Sequence, residues 1–142
     1  MTRQAHSRLG LAAACAVVLL SLLVASPAGA QSFSLPDASV RAVVQPDGAL
    51  VVDEAITVAF SGRFTFGFRD IPLRAGESID RISVSENGRP DTPNGSAEKQ
   101  PGLTPGTFGV ARAPHGVTIV WHFQALDEIR TFRVRYRLSG LA

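Results

Sequence analysis

From Ser39 onward, period-2 alternation of apolar side chains recurs with turn signals between, and no stretch repeats them at helical spacing. Period-2 alternation marks strands with one face buried and the other in water. The first pair runs through Val40, Ala42 and Val44, turns at Pro46-Asp47-Gly48, and returns through Leu50, Val52, Glu54, Ile56, Val58 and Phe60. Asp-Gly between apolar runs predicts a hairpin, because glycine accepts the positive φ of a tight turn. The same parity continues at Phe64, Phe66 and Phe68, where Gly62 and Gly67 predict a bulge or a close backbone approach. A third strand spans Ile79 to Glu86 with Ile82 and Val84 inward, and order resumes at Thr107 to Arg112. Val117, Ile119, Trp121 and Phe123 then share a face. After a turn near Asp127-Glu128, Phe132, Val134, Tyr136 and Leu138 line one face, with Arg133, Arg135 and Arg137 on the other. Between the third strand and Thr107, the Pro- and Gly-rich segment Asn87 to Gly106 predicts a long flexible loop. Six or more strands and no helix predict an all-β fold, an antiparallel β-sandwich of immunoglobulin-like or similar kind.

A different kind of segment precedes the strands. Arg3 and Arg8, the uncharged apolar run Leu9 to Val24 and the small residues Ser26-Pro27-Ala28-Gly29-Ala30 compose a secretory signal peptide, expected to be helical. Ala28 and Ala30 fit the small-residue requirement of signal peptidase, so cleavage is expected before Gln31, followed by a short linker over 31–38 and the sandwich over 39–142. The apolar run falls short of the roughly 20 residues that span a bilayer, which favours cleavage over anchoring. The protein is therefore expected to be exported, to the extracytoplasmic face of the membrane or beyond. Cys15 lies inside the signal, and as the sole cysteine it leaves the mature chain without a disulfide. Lipid attachment at Cys15 is disfavoured because it would leave Val17 to Val24 as a bare apolar terminus.

Composition closes off several functions. Lys and Arg number 14 against 12 Asp and Glu, but Arg3 and Arg8 leave with the signal and no acid does, so the mature chain is balanced and offers no basic footprint for nucleic acid. Asp53 and Glu54 are neighbours on a strand and point to opposite faces, so they cannot act as a carboxylate pair. His115 and His122 have no cysteine or acidic cluster beside them, which disfavours a metal site, and His122 is expected on the strand surface. No phosphate loop, nucleophile elbow or Ser/His/Asp set occurs. No catalytic residue, cofactor or metal is expected, and a hydrolase using Asp70 or Glu54 lacks a nameable partner group.

Two features could form a partner surface. One is the aromatic and charged segment Phe64, Phe66, Phe68, Arg69 and Asp70. The other is the stripe of Arg133, Arg135 and Arg137, whose guanidinium groups stand about 7 Å apart and could hold an anionic polymer or lipid headgroups, or could equally meet acids on a neighbouring strand. The favoured expectation for that stripe is a solvated face. Glu54 is the polar exception on an apolar face; the favoured expectation places it at the rim beside a bulge near Asp53, the alternative being a buried carboxylate paired with an Arg such as Arg69.

The order of three stretches carries a family resemblance. Asp47-Gly48-Ala49-Leu50-Val51-Val52-Asp53-Glu54, then Phe60-Ser61-Gly62-Arg63-Phe64, then Gly67-Phe68-Arg69-Asp70-Ile71-Pro72 resemble the start of the predicted bacterial membrane proteins catalogued as domain of unknown function 2207. Val84 to Gly88, Trp121, and Arg130-Thr131-Phe132 leading to Tyr136-Arg137-Leu138-Ser139-Gly140 fit as well, so the likeness covers Ser39 to Gly140. It implies an extracytoplasmic β-rich domain followed by transmembrane helices. It also implies an outer domain incomplete at Ala142, with the strand ending at Leu138 open to further sequence and Trp121, Phe132 and Tyr136 poorly covered. No catalytic residues come with the family. The expected function is a non-enzymatic binding or scaffolding module of a membrane protein, its partner an envelope polymer, lipid headgroups or the membrane part of its own family architecture. The alternative is a free secreted module that binds an anionic or carbohydrate envelope polymer.

Overall fold

The computed structural model describes residues 30–141. Eight strands follow one another: β1 (Ser32–Val44), β2 (Leu50–Ser61), β3 (Arg63–Pro72), β4 (Ser78–Glu86), β5 (Arg89–Pro90), β6 (Thr107–Ala113), β7 (Gly116–Leu126) and β8 (Ile129–Ser139). They form a five-stranded sheet ordered β1-β2-β8-β4-β5 and a three-stranded sheet ordered β3-β7-β6, with every strand pair antiparallel. The alternation decides what lies between them. Val52 and Val58 of β2, Ile79 and Val84 of β4, and Phe132, Val134 and Tyr136 of β8 meet Ile71, Phe108, Val117, Ile119, Trp121, Phe123 and Ala125 of the smaller sheet. Phe132 sits at the centre, its ring 4.7 Å from that of Phe123 and 5.6 Å from that of Trp121. The all-β sandwich expected from the sequence is thus the fold observed.

The turns form where the residues allow the required φ. Gly48 has φ +80° between β1 and β2, with the Asp47 carboxylate accepting from Ala49 N at 3.2 Å. Asn87 and Gly88 both have positive φ in the tight turn between β4 and β5. Asp127 (φ 48°) turns β7 into β8, and its carboxylate accepts from Gly62 N at 2.7 Å.

Several expectations need correction. The 31–38 segment is not a linker. Ser32 to Ser34 pair with Ala59 to Ser61 as the first part of β1, and Phe33 packs edge-on against Phe64. The register shift between Ser34 and Asp37 accommodates Pro36, which has no N–H to donate, and it hides the strand from period-2 reading. Phe64, Phe66 and Phe68 do not share a face either. A shift between Phe64 and Phe66 turns Phe64 inward against Phe60, whereas Phe68 faces out. A similar shift between Asp80 and Ser83, where Arg81 has φ 52°, lets both Ile79 and Ile82 reach the core.

The Asn87 to Gly106 segment is irregular, but it is not a free loop. Thr92 bridges to Thr107, Gly95 N donates to Phe108 O at 2.8 Å, and Ser96 O lies 2.9 Å from His122 Nε2. This strap lies so close to the outer face of the small sheet that a Cβ on Gly109 would stand 2.4 Å from the backbone of Gly95 and Ser96. His122, expected at the surface, is consequently fully buried beneath it. Nor is the last strand open to further pairing. β8 lies between β2 and β4 with both edges paired, and Trp121, Phe132 and Tyr136 are buried. The signal-peptide segment, with Ala28, lies outside the described residues, while Ala30 and Gln31 are exposed.

Gly67 provides the sharpest test of the packing. A Cβ there would stand 2.7 Å from the Trp121 ring, the close approach the sequence anticipated. Gly67→Ala should cost about 1–3 kcal/mol, read as a lower melting temperature; an unchanged melt would show that β3 and β7 do not meet this closely.

Candidate functional site

Two of the three stretches that carried the resemblance, together with Tyr136 from its later part, converge on one buried polar cluster. Glu54 lies on the inner face of β2, where its parity assigns it, and it is 4% exposed. Arg69 reaches it from β3, in the other sheet, with Nε on Oε2 at 2.9 Å and Nη2 on Oε1 at 3.1 Å. Tyr136 of β8 donates its hydroxyl to the same Oε1 at 3.1 Å. The register of β2 on β8 runs unbroken from Leu50 to Ala59, so no bulge carries Glu54 to the rim. The favoured rim placement is overturned, and the pairing with Arg69 is what the structure shows. Burial of a carboxylate is tolerable here because a bidentate guanidinium and a phenol satisfy both oxygens.

This cluster ties the two sheets together. Its bond to Glu54 holds the Arg69 guanidinium more firmly protonated. Burial, followed by the charge of Glu54, pushes the Tyr136 phenol up to about 12. Tyr136 was not singled out from the sequence, although a hydroxyl on a core-facing parity next to a core-facing Glu was a readable signal.

The remaining candidate residues are dispersed. Phe64 and Arg69 turn toward the interior; Phe68 and Asp70 lie on the outer face of the small sheet, with Lys99 from the strap 3.7 Å above the Phe68 ring and 3.6 Å from Asp70. The Thr118 hydroxyl, first, and Lys99 hold the Asp70 carboxyl below its usual range. Phe66 pairs with His122 in register and is half-buried. The segment Phe64 to Asp70 is therefore not one surface. On the opposite side of the molecule, Asp53 receives Arg133 Nε at 2.6 Å and Arg135 Nε at 3.3 Å, and Arg137 lies between Asp47 and Asp80. The arginine stripe meets acids on its neighbours.

Among the described residues no group of three His, Cys, Asp or Glu is placed to hold a metal ion, and no helix is long and apolar enough to cross a membrane. The surface that remains unsatisfied is β1. All thirteen of its residues are exposed, and Val40 and Val44, which share the core-facing side with Val52 and Glu54 through the β1–β2 register, are 69% and 70% exposed. The cause is width: β3 is the last strand of the small sheet, so nothing lies beneath the far half of β1.

The model of the family described as "Predicted membrane protein (DUF2207) N-terminal domain" matches residues 34–142. The chain belongs to this family. No curated protein matches it. The match begins two residues inside β1 and takes in all three contributors to the cluster, Glu54, Arg69 and Tyr136.

Two titrations test these environments. Tyr136 is the only tyrosine, so absorbance titration of the folded protein should show a single midpoint at about 12. The neutral phenol's contribution to stability should be intact below about pH 10 and lost as pH rises through the raised value. Glu54→Gln should lower the midpoint but leave it above the ordinary value, since burial is the larger cause; an unchanged midpoint would mean the Glu54 contact is absent.

Asp91, in the strap, is 8% exposed with Oδ2 unpartnered among the described residues, and burial pushes its carboxyl up to about 6. A raised carboxyl favours the fold while protonated, and that advantage disappears as pH rises from about 4 through the raised value. Asp91→Asn should therefore stabilise by on the order of 2 kcal/mol above neutrality and by little near pH ~4. Equal effects at both pH values would place the carboxylate in water.

Proposed function

We propose that this chain supplies the extracytoplasmic binding module of a membrane protein, with no catalysis of its own, and that it holds a partner polypeptide strand beside β3 and beneath β1. The observation that carries this reading is the uncovered inner side of β1. Val40 and Val44 point where a fourth strand of the small sheet would lie, and β3 offers that strand an open edge. Main-chain hydrogen bonds to such an edge supply affinity, and alternate apolar side chains fitting under Val40 and Val44 supply register. Pro36 and the bulge beside it guard the start of β1 against indiscriminate pairing and leave Asp37 to Val44 as the usable stretch. The signal peptide read from residues 1–30 and the family's description as membrane proteins support an extracytoplasmic location.

Photocrosslinking in cells tests this. A crosslinker at Val40 or Val44 should join one defined polypeptide segment, and Val40→Lys combined with Val44→Lys should abolish the product obtained from a crosslinker at Ala42 while leaving the melting temperature unchanged. Crosslinks from Val40 no more specific than those from Ser78 on β4 would overturn the reading.

A further inference from the structure

The outer face of the large sheet carries a second feature, independent of the β1 inner side. Arg41 of β1, Asp53 of β2 and Arg135 of β8 stand opposite one another in the strand registers, so they form one row across three strands about 4.8 Å apart. Arg133 joins from two residues along β8. Asp53 accepts from Nε of Arg133 at 2.6 Å and lies 3.3 Å from Nε of Arg135, while the terminal nitrogens of both guanidinium groups have no partner among the described residues. Arg41 forms no ion pair with any described residue. Two guanidinium groups therefore hold one carboxylate while Arg41 stands in the same row without an ion pair, a local excess of two positive charges. Arg41 and Arg135 border an open groove of about 400 Å³, lined also by Val43, Gln45, Val51 and Asp53.

We infer that this groove is a binding site for a phosphodiester anion. A single carboxylate holding two guanidinium groups by Nε fixes their planes and leaves their outer N–H edges free, so Asp53 positions the donors more than it neutralises them. Donors from β1 and β8 flank the β2 carboxylate and reach the groove from its two sides. The two non-bridging oxygens of a phosphodiester can accept from both sides at once. Val43 and Val51 give the groove an apolar wall beside the charged row, suited to the carbon backbone that a phosphodiester carries. Arg137 is excluded by its surroundings, since Asp47 and Asp80 balance it. The arginines that matter are Arg41, Arg133 and Arg135, a different triplet from the one the β8 sequence displays.

Phosphodiesters on an extracytoplasmic surface come as lipid headgroups or as soluble polymer, and two probes separate them. The purified protein is sedimented with vesicles of phosphatidylcholine containing phosphatidylglycerol, with phosphatidylcholine vesicles as reference, and is titrated separately with poly(glycerol phosphate). Arg41→Gln and Arg135→Gln should each weaken binding about fivefold, and the pair by about twentyfold or more, as should high salt. Arg137→Gln should stay within about twofold of the parent. Binding to vesicles alone assigns the site to lipid, binding to polymer alone assigns it to polymer, and binding to both makes the phosphodiester itself the determinant. Absence of binding to either at low salt overturns the inference, and so does a loss for Arg137→Gln equal to that for Arg135→Gln. Because the variants change the outer face only, their melting temperatures and the Val40 crosslinks should be unaffected, which keeps this test separate from the one for the β1 inner side.

Discussion

Three strands about 4.8 Å apart cannot cover five, and this mismatch of width organises the molecule. Where the small sheet lies under β2, β8 and β4, the space fills with Val, Ile and aromatic side chains around Phe132. At the edge of that covered zone, between β2 and β3, the core gives way to Glu54, Arg69 and Tyr136. Beyond it, β1 is exposed on both faces. The buried ion pair stands at the boundary, where Arg69 can keep part of its side chain in water while closing both oxygens of Glu54. Removing one partner of such a pair is costly because it leaves the other buried charge uncompensated.

The two outer surfaces follow from the same geometry. On the small sheet the strap from Asn87 to Gly106 adds a partial third layer, which buries His122 and brings Lys99 over Phe68. On the large sheet nothing among the described residues adds a layer, so Arg133 and Arg135 stay open to solvent over Asp53. Exposed Val40 and Val44 and the unpaired Arg41 thus occur on opposite faces of one strand, β1. A polypeptide ligand and an anionic ligand could be held there at the same time without competing for a side chain.

Much of the fold was legible because alternation is a local property. Val117 to Phe123 and Phe132 to Leu138 announced their faces unaided, and Asp47-Gly48 announced its turn. Reading failed wherever a residue's environment came from a distant part of the chain. His122 has outward parity and is buried, because a segment more than twenty residues earlier folds over it. Phe64 and Phe68 have equal parity and opposite faces, because a bulge between them reverses the count. Ser32 to Ser34 have no visible pattern, yet they pair with Ala59 to Ser61. Asp91 gave no signal, since irregular backbone has no parity to violate.

The sequence by itself determined most of the strands, the inward faces of β2, β7 and β8, the Asp-Gly turn and the family, and the strand faces and the turn depend on residues adjacent in the chain or two apart. It also placed Glu54 on an apolar face and named Arg69 as a partner that could justify it. Only the tertiary structure decided that the pair forms. That outcome required β3 to leave the large sheet and lie beneath β2, a choice made by the packing of Trp121 and Phe123 on Phe132 and not by any neighbour of Glu54. The same holds for the groove at Asp53. Arg41 and Arg135 stand far apart in sequence, and they became neighbours of one carboxylate because β2 pairs with β1 on one side and β8 on the other.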